Sequence, residues 1–119
     1  MSPKPLSDCL FCKMAGKQIP ATFIYEDDDM FVVNDINPQA PLHALVIPKR
    51  HIATLNELSE DDDALVGAMM RRAAALAAER GYAGRGFRTV FNTNAESGQS
   101  VFHIHLHVLG GRSLKWPPG

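Results

Sequence analysis

Three histidines at alternate positions, His103, His105 and His107, are the residues of this sequence best suited to chemistry. Side chains two apart in a strand share a face. The segment Val101–Leu109 therefore predicts a row of three imidazoles about 6.7 Å apart, with Phe102, Ile104, Leu106 and Val108 on the other face. Chance would produce such a row in roughly one chain of this composition in a hundred. A half-buried strand with a solvated face gives the same alternation, but such faces carry Lys, Glu, Thr or Ser, and none stands at these three positions. Imidazole titrates near neutrality. It can ligate a metal, move protons, attack as a nucleophile or bind an anion.

The loop before the row narrows the choice. Asn92, Gly98, Gln99 and Ser100 offer amides, a hydroxyl and flexible backbone N–H groups beside the first histidine, as a phosphate cradle would. Alone, the loop reads more readily as a simple turn. Joined to the imidazoles, it suggests an electrophilic phosphorus held against a ring nitrogen. Such a nitrogen attacks phosphorus and then leaves, splitting one hard displacement into two.

These residues need elements to hold them. Ser7 and Asp8 predict the start of a short helix running to about Lys13–Gly16. Thr22–Glu26 and Met30–Asn34 read as a hairpin around the acidic turn Asp27–Asp29. The apolar run in His43–Pro48 predicts a buried strand stopped by its proline. Ser59, with Asp62 three residues on, resembles a capping box, and the chain to Arg80 predicts one long helix ended by Gly81. Its apolar stripe is Leu65, Met69, Ala73 and Leu76. Gly86–Asn92 and Val101–Leu109 complete the strands, joined by the polar loop Thr93–Ser100. Strands that are mostly sequential and outnumber the helices favour an antiparallel α+β domain over a doubly wound one.

Length and charge bound the rest. The 119 residues fit one domain, and the acid runs at Glu26–Asp29 and Glu60–Asp63 read as solvated turns and helix starts. A formal charge of −1 gives no general drive toward nucleic acid or anionic membrane, so a nucleotide must be held by a local site. No stretch reaches the length of a membrane span, and the opening residues lack the apolar region of a signal peptide. Two cysteines, Cys9 and Cys12, are too few for a disulfide framework. A reducing, cytoplasmic location is expected.

The segment His103-Ile104-His105-Leu106-His107-Val108-Leu109 resembles the motif of the histidine-triad (HIT) superfamily. Asp35 through Pro41, His43 through His51, Gly98-Gln99-Ser100 and the ending Gly110-Gly111-Arg112…Trp116-Pro117-Pro118-Gly119 resemble its Hint branch of nucleoside phosphoramidases. The resemblance implies a single HIT domain, with a core of about 8–110 and a tail from 111, that forms a homodimer through its long helix and a shared sheet. It implies hydrolysis of purine nucleoside 5′-phosphoramidates, typically of adenosine, through a nucleotidyl-histidine intermediate, with AMP as product and no cofactor needed for the chemistry. By the same resemblance, His105 is the nucleophile, His107 and His43 manage the leaving-group proton, and His103 fixes the neighbouring geometry. Asn92, Gly98, Gln99 and Ser100 would hold the phosphate and the bridging atom, and Asp35 the ribose hydroxyls. Leu10, Phe11, Met14, Ile19, Val33 and Ile36 would surround the base, although composition alone reads them as core. Trp116, the only tryptophan, sits in a tail too rich in Pro and Gly for helix or strand. The resemblance takes it to the partner subunit's active site.

Cys9-x-x-Cys12 is weak by itself. Some HIT relatives bind zinc through such a pair together with two histidines, which here are His51 and His103. Cys2His2 is a closed structural zinc set. Two other classes stay open on the residues: a metalloenzyme or metal carrier using the histidine row, and a non-catalytic nucleotide-binding module. Against the first, no carboxylate lies in or beside the triad to orient ligating histidines.

Overall fold

Alternation along two adjacent strands divides the core. The computed structural model describes residues 8–119. Its elements are α1 (Leu10–Ala15), β1 (Tyr25–Glu26), β2 (Met30–Asn34), β3 (Leu42–Pro48), α2 (Asp63–Glu79), β4 (Phe87–Val90) and β5 (Leu106–Gly110), with short 3-10 turns between them. The strands form one antiparallel sheet in the order β1-β2-β3-β5-β4. Met30, Val32, Ala44, Val46, Leu106 and Val108 face α2, where they pack with Met69, Ala73, Leu76 and Ala77. Phe31, Val33, Leu45 and Ile47 face the other way, onto α1, with Phe11, Cys9 and Cys12. Each large apolar side chain so buried contributes about 1.5–3 kcal/mol. The sheet is thus covered by a long helix on one face and a short one on the other, within the antiparallel α+β class that the sequence pattern predicts.

The hairpin β1–β2 forms around the acidic turn because Asp27 Oδ1 accepts the N–H groups of Asp29 (2.8 Å) and Met30 (2.9 Å). Its first strand is shorter than Thr22–Glu26, since only Tyr25 and Glu26 ladder with β2. The predicted capping box is present: Asp62 Oδ2 accepts Ser59 N–H at 2.9 Å, and the same carboxylate pairs with Arg50. The residues Glu60–Asp62 turn as a 3-10 helix before α2 proper begins. The Arg50 pair ties the head of α2 to the segment after β3 that carries His51.

Other boundaries also differ from the sequence pattern, and β4 ladders over Phe87–Val90 only, not over the whole of Gly86–Asn92. The Ser7 cap lies outside the described residues, and α1 is capped instead by Cys9, whose Sγ accepts Cys12 N–H at 3.4 Å. The last strand ladders only from Leu106, not from Val101. Its partner β3 ends at Pro48, which has no N–H to give, and the stretch before Leu106 finds other partners. Ile104 N–H bonds to Ile52 O at 2.7 Å, and the His103 carbonyl is taken by a side chain. The alternation nevertheless continues through this unpaired stretch, with Ile104 in the core beside α2 and His103 and His105 on the α1 side.

Gly111 closes the sheet end. Its φ is +99°, and a Cβ there would stand 2.8 Å from Pro41 Cβ and 3.0 Å from Tyr82 Oη. Gly111→Ala should lower unfolding stability by about 2 kcal/mol, from strain at a positive φ plus the clash. Urea denaturation at unchanged m-value measures it; a loss below about 0.5 kcal/mol, the range of ordinary surface changes, would contradict this packing.

Candidate active site

The α1 face of the sheet gathers the histidines. Leu45 of β3 pairs with His107 of β5, and His43, two residues earlier on β3, lies on the same face. Phe11 of α1 meets the His105 ring edge-on with centroids 5.1 Å apart and the His103 ring at 5.7 Å. In front of His105 and His107 opens a cavity of about 270 Å³. Leu10, Phe11, Met14, Val33, Asp35 and Ile36 line one part of it; Asn92, Gly98 and Ser100 line another. Asn34, Leu45 and Val101 also line it and were missed in the sequence, although Leu45 was legible as a neighbour of His43 on the same strand face.

Four expected residues stand apart from this lining. Ile19 is half-buried elsewhere. His103 lies behind His105 and is fully buried. Gln99 is also buried, but its amide is spent on the main chain: Oε1 accepts Asn94 N–H (2.8 Å), and Nε2 donates to Ala53 O (2.8 Å) and Val101 O (3.2 Å). It braces the loop, so its side chain does not reach a phosphate in the cavity. His43 sits behind His107 as a partner rather than as lining.

Peptide groups fix where each ring carries its proton. His105 Nδ1 lies 2.9 Å from the His103 carbonyl, which can only accept, so Nδ1 bears the hydrogen and Nε2 keeps its lone pair. Gln39 N–H donates to His43 Nδ1 at 3.0 Å, which leaves the neutral ring's hydrogen on Nε2. That hydrogen points to His107 Nδ1 at 2.9 Å, with Asp35 Oδ2 at 3.3 Å from the same nitrogen. His107 is thereby a donor at Nε2. Burial pushes the His107 imidazole down to about 4, helped by the neighbouring His105 and His43 and opposed by Asp35. Burial also lowers His105. Both rings are neutral at pH 7, one as acceptor and one as donor. Asp35, His43 and His107 form a potential metal-binding group, but the Gln39 peptide puts a proton on His43 Nε2, the atom that would have to ligate.

A second cluster lies against α1. One donor atom each from Cys9, Cys12, His51 and His103 falls within 4.8 Å of the others. The separations are 3.4 Å (Cys9 Sγ to His103 Nδ1), 3.3 Å (Cys12 Sγ to His51 Nδ1), 3.6 Å (Cys12 Sγ to His103 Nδ1) and 3.2 Å (His51 Nδ1 to His103 Nδ1). A tetrahedral zinc with ordinary bond lengths requires edges of about 3.3–3.6 Å between such ligand atoms. His103 Nε2 gives its hydrogen to Pro48 O at 2.7 Å, which turns the Nδ1 lone pair into the cluster, as outer partners of metal-bound histidines do. The residues fit the metal.

The depressed His107 ring has a measurable sign. The unfolded chain takes up the proton from about pH 6.5 downward, while the folded chain holds this ring neutral to about 4. Stability supplied by the neutral ring is therefore complete above the unfolded value and is lost as pH falls through that window, by about 1.4 kcal/mol per pH unit. Imidazole NMR should find His107 neutral at pH 5, and His107→Asn should show a shallower acid loss of stability. A His107 midpoint near 6.5 would refute the assignment.

Comparison with known proteins agrees with this arrangement. A family profile described as the scavenger mRNA decapping enzyme C-terminal binding region matches residues 8–115. An uncharacterised HIT-like protein of Synechococcus elongatus is 48% identical over 112 residues, which cover 94% of this chain and 97% of that one. The crystal structure of a HIT family hydrolase from Legionella pneumophila superposes with a TM-score of 0.92 at 52% identity, covering 94% of this chain and 100% of the other. That of a zinc-bound histidine triad family protein from Mycobacterium smegmatis does so with a TM-score of 0.76 at 37% identity, covering 88% and 76%. With its three alternate histidines on one face of a hydrolase-type HIT fold, the chain belongs to the histidine-triad superfamily.

Proposed function

We propose that the protein hydrolyses purine nucleoside 5′-phosphoramidates, of the adenosine 5′-monophosphoramidate type, through a nucleotidyl adduct on His105, and that it belongs to the Hint branch. The observation that carries this reading is the His105 Nδ1–H bond to the His103 carbonyl, which presents an unprotonated Nε2 to the cavity. Nε2 attacks phosphorus as the P–N bond breaks. The electron pair stays on the departing nitrogen, which takes the proton of His107 Nε2 and leaves as the amine, so that His107 becomes an imidazolate beside the imidazolium formed at His105. Positive charge gained by His105, whose ring lies 5.0 Å from that of His107, favours this proton loss. Water then attacks phosphorus, returns a proton to His107 Nε2 and displaces His105, releasing AMP.

The other groups take binding roles. Asp35 receives the ribose hydroxyls while its other oxygen is held by Asn37 N–H at 2.8 Å. Asn92, Ser100 and the Gly98 backbone hold the phosphate, and Leu10, Phe11, Met14, Val33 and Ile36 enclose the base. Ile36, wholly exposed at the mouth, is an apolar flap for a flat ring. The chain acts as a cytoplasmic homodimer in which Trp116, 82% exposed, reaches the partner's leaving-group pocket. Among the described residues no helix is long and apolar enough to cross a membrane.

Two experiments test this reading. Acid-quenched mass spectrometry during turnover should find a nucleotidyl group on His105, and His105→Gly should lose several orders of magnitude in turnover with AMP affinity little changed. An adduct on His103 or His107, or a His105→Gly variant within tenfold of the parent, would overturn it. Cys9, Cys12, His51 and His103 hold a structural zinc, which cross-links α1 to the segments after β3 and before β5 and takes no part in the chemistry. Protein purified without chelator should then carry about one zinc per chain, and chelated protein that stays folded should keep its turnover. Folded chelated protein that regains turnover only with zinc would make this a metalloenzyme.

A further inference from the structure

We propose that Arg112 is a positioning residue for the proton donor, acting through the placement of residue Gln39 on the tautomers of His43 and His107. Arg112 follows β5 and is exposed, with no acidic partner among the described residues. Its guanidinium is instead committed to carbonyls: Nε donates to Gln39 O at 2.7 Å and Nη1 to Ser113 O at 3.0 Å. The cation on the Gln39 oxygen fixes the plane of the Gln39–Ala40 peptide, and the N–H that meets His43, which belongs to the preceding Pro38–Gln39 peptide, is held in place through the Cα that the two share. Gln39 is gripped a second time by its own side chain, whose Nε2 donates to Asn37 O at 3.0 Å. Gly111, the residue before Arg112, packs against Pro41. The end of β5 thus clamps the loop between Asp35 and His43 from outside the cavity.

The clamp bears on chemistry because Gln39 N–H is the group that forbids a hydrogen on His43 Nδ1. Once Gln39 turns, His43 can carry its hydrogen on either nitrogen. Only Asp35 Oδ2, 3.3 Å from His43 Nε2, then favours a hydrogen on that nitrogen, so the donor to His107 Nδ1 and the hydrogen at His107 Nε2 are held less strictly. No atom of Arg112 touches the substrate in this scheme. Through Gln39, a guanidinium outside the cavity helps to select which nitrogen of a buried ring carries the hydrogen.

The kinetic consequence rests on the phosphoramidase reading; the tautomer does not, so the two are measured separately. In protein with ¹⁵N-labelled imidazoles, Arg112→Met should move His43 Nδ1 from its unprotonated position toward the exchange average and average His107 Nε2 likewise. Arg112→Lys, which keeps one donor for Gln39 O, should restore the parent pattern. Both rings unchanged in Arg112→Met would overturn the proposal. In turnover, Arg112→Met should slow an alkylamine phosphoramidate about three- to tenfold, part of the usual worth of a positioned acid. It should slow adenosine 5′-phosphorofluoridate, whose fluoride leaves without a proton, less than about twofold. Equal losses on both substrates would also overturn it. A parent protein that turns over neither substrate refutes the phosphoramidase reading, and the ring spectra still decide the role of Arg112.

Discussion

A carbonyl oxygen cannot donate a hydrogen bond, and much of this site follows from that. The His103 carbonyl obliges His105 to keep its hydrogen on Nδ1. The Pro48 carbonyl obliges His103 to keep its own on Nε2. The Gln39 N–H imposes the opposite rule on His43 and passes it to His107. Peptide groups do not titrate in the range where imidazoles do, so they fix which nitrogen of each neutral ring carries the hydrogen. Burial then removes the remaining ambiguity by holding His107 neutral.

His103 belongs to both clusters. Its ring faces Cys9, Cys12 and His51, while its carbonyl, on the same residue, orients the His105 ring. Phe11 lies between the two cysteines in sequence and against both rings in space. The wall of the cavity and the orientation of His105 are therefore set by the same turn of α1 that carries the thiols. The two clusters are two faces of one piece of packing, with His103 as the part held in common.

What the sequence disclosed depended on whether a residue's role lies in its own side-chain pattern. Met30–Asn34 was read to the residue because an apolar run after an acidic turn leaves few alternatives. The capping box and the stripe of α2 were legible for the same reason. The strand through the triad was read too long, because alternation reports which way side chains point and not whether the backbone is paired. Gln99 was assigned by the chemistry of its amide, and nothing in its neighbourhood announces Ala53, whose carbonyl it meets from 46 residues away. The Gln39 amide was invisible, since every residue except proline has one. Contacts made by main chain leave no composition to read.

The two-residue alternation that continues from His103 through Val108 has a consequence for how such a chain can change. Exchanging Ile104, Leu106 or Val108 for another apolar residue alters only local packing. Inserting or removing a single residue in that stretch would rotate every later side chain to the opposite face, turning imidazoles into the layer beneath α2 and aliphatic groups into the cavity. Length is therefore fixed here more strictly than identity. The exposed segment from Asn94 to Gly98 is held mostly by its own short-range bonds and has room to lengthen. Descendants of this chain can acquire new reach at that rim of the cavity while the row of imidazoles beside it keeps its spacing.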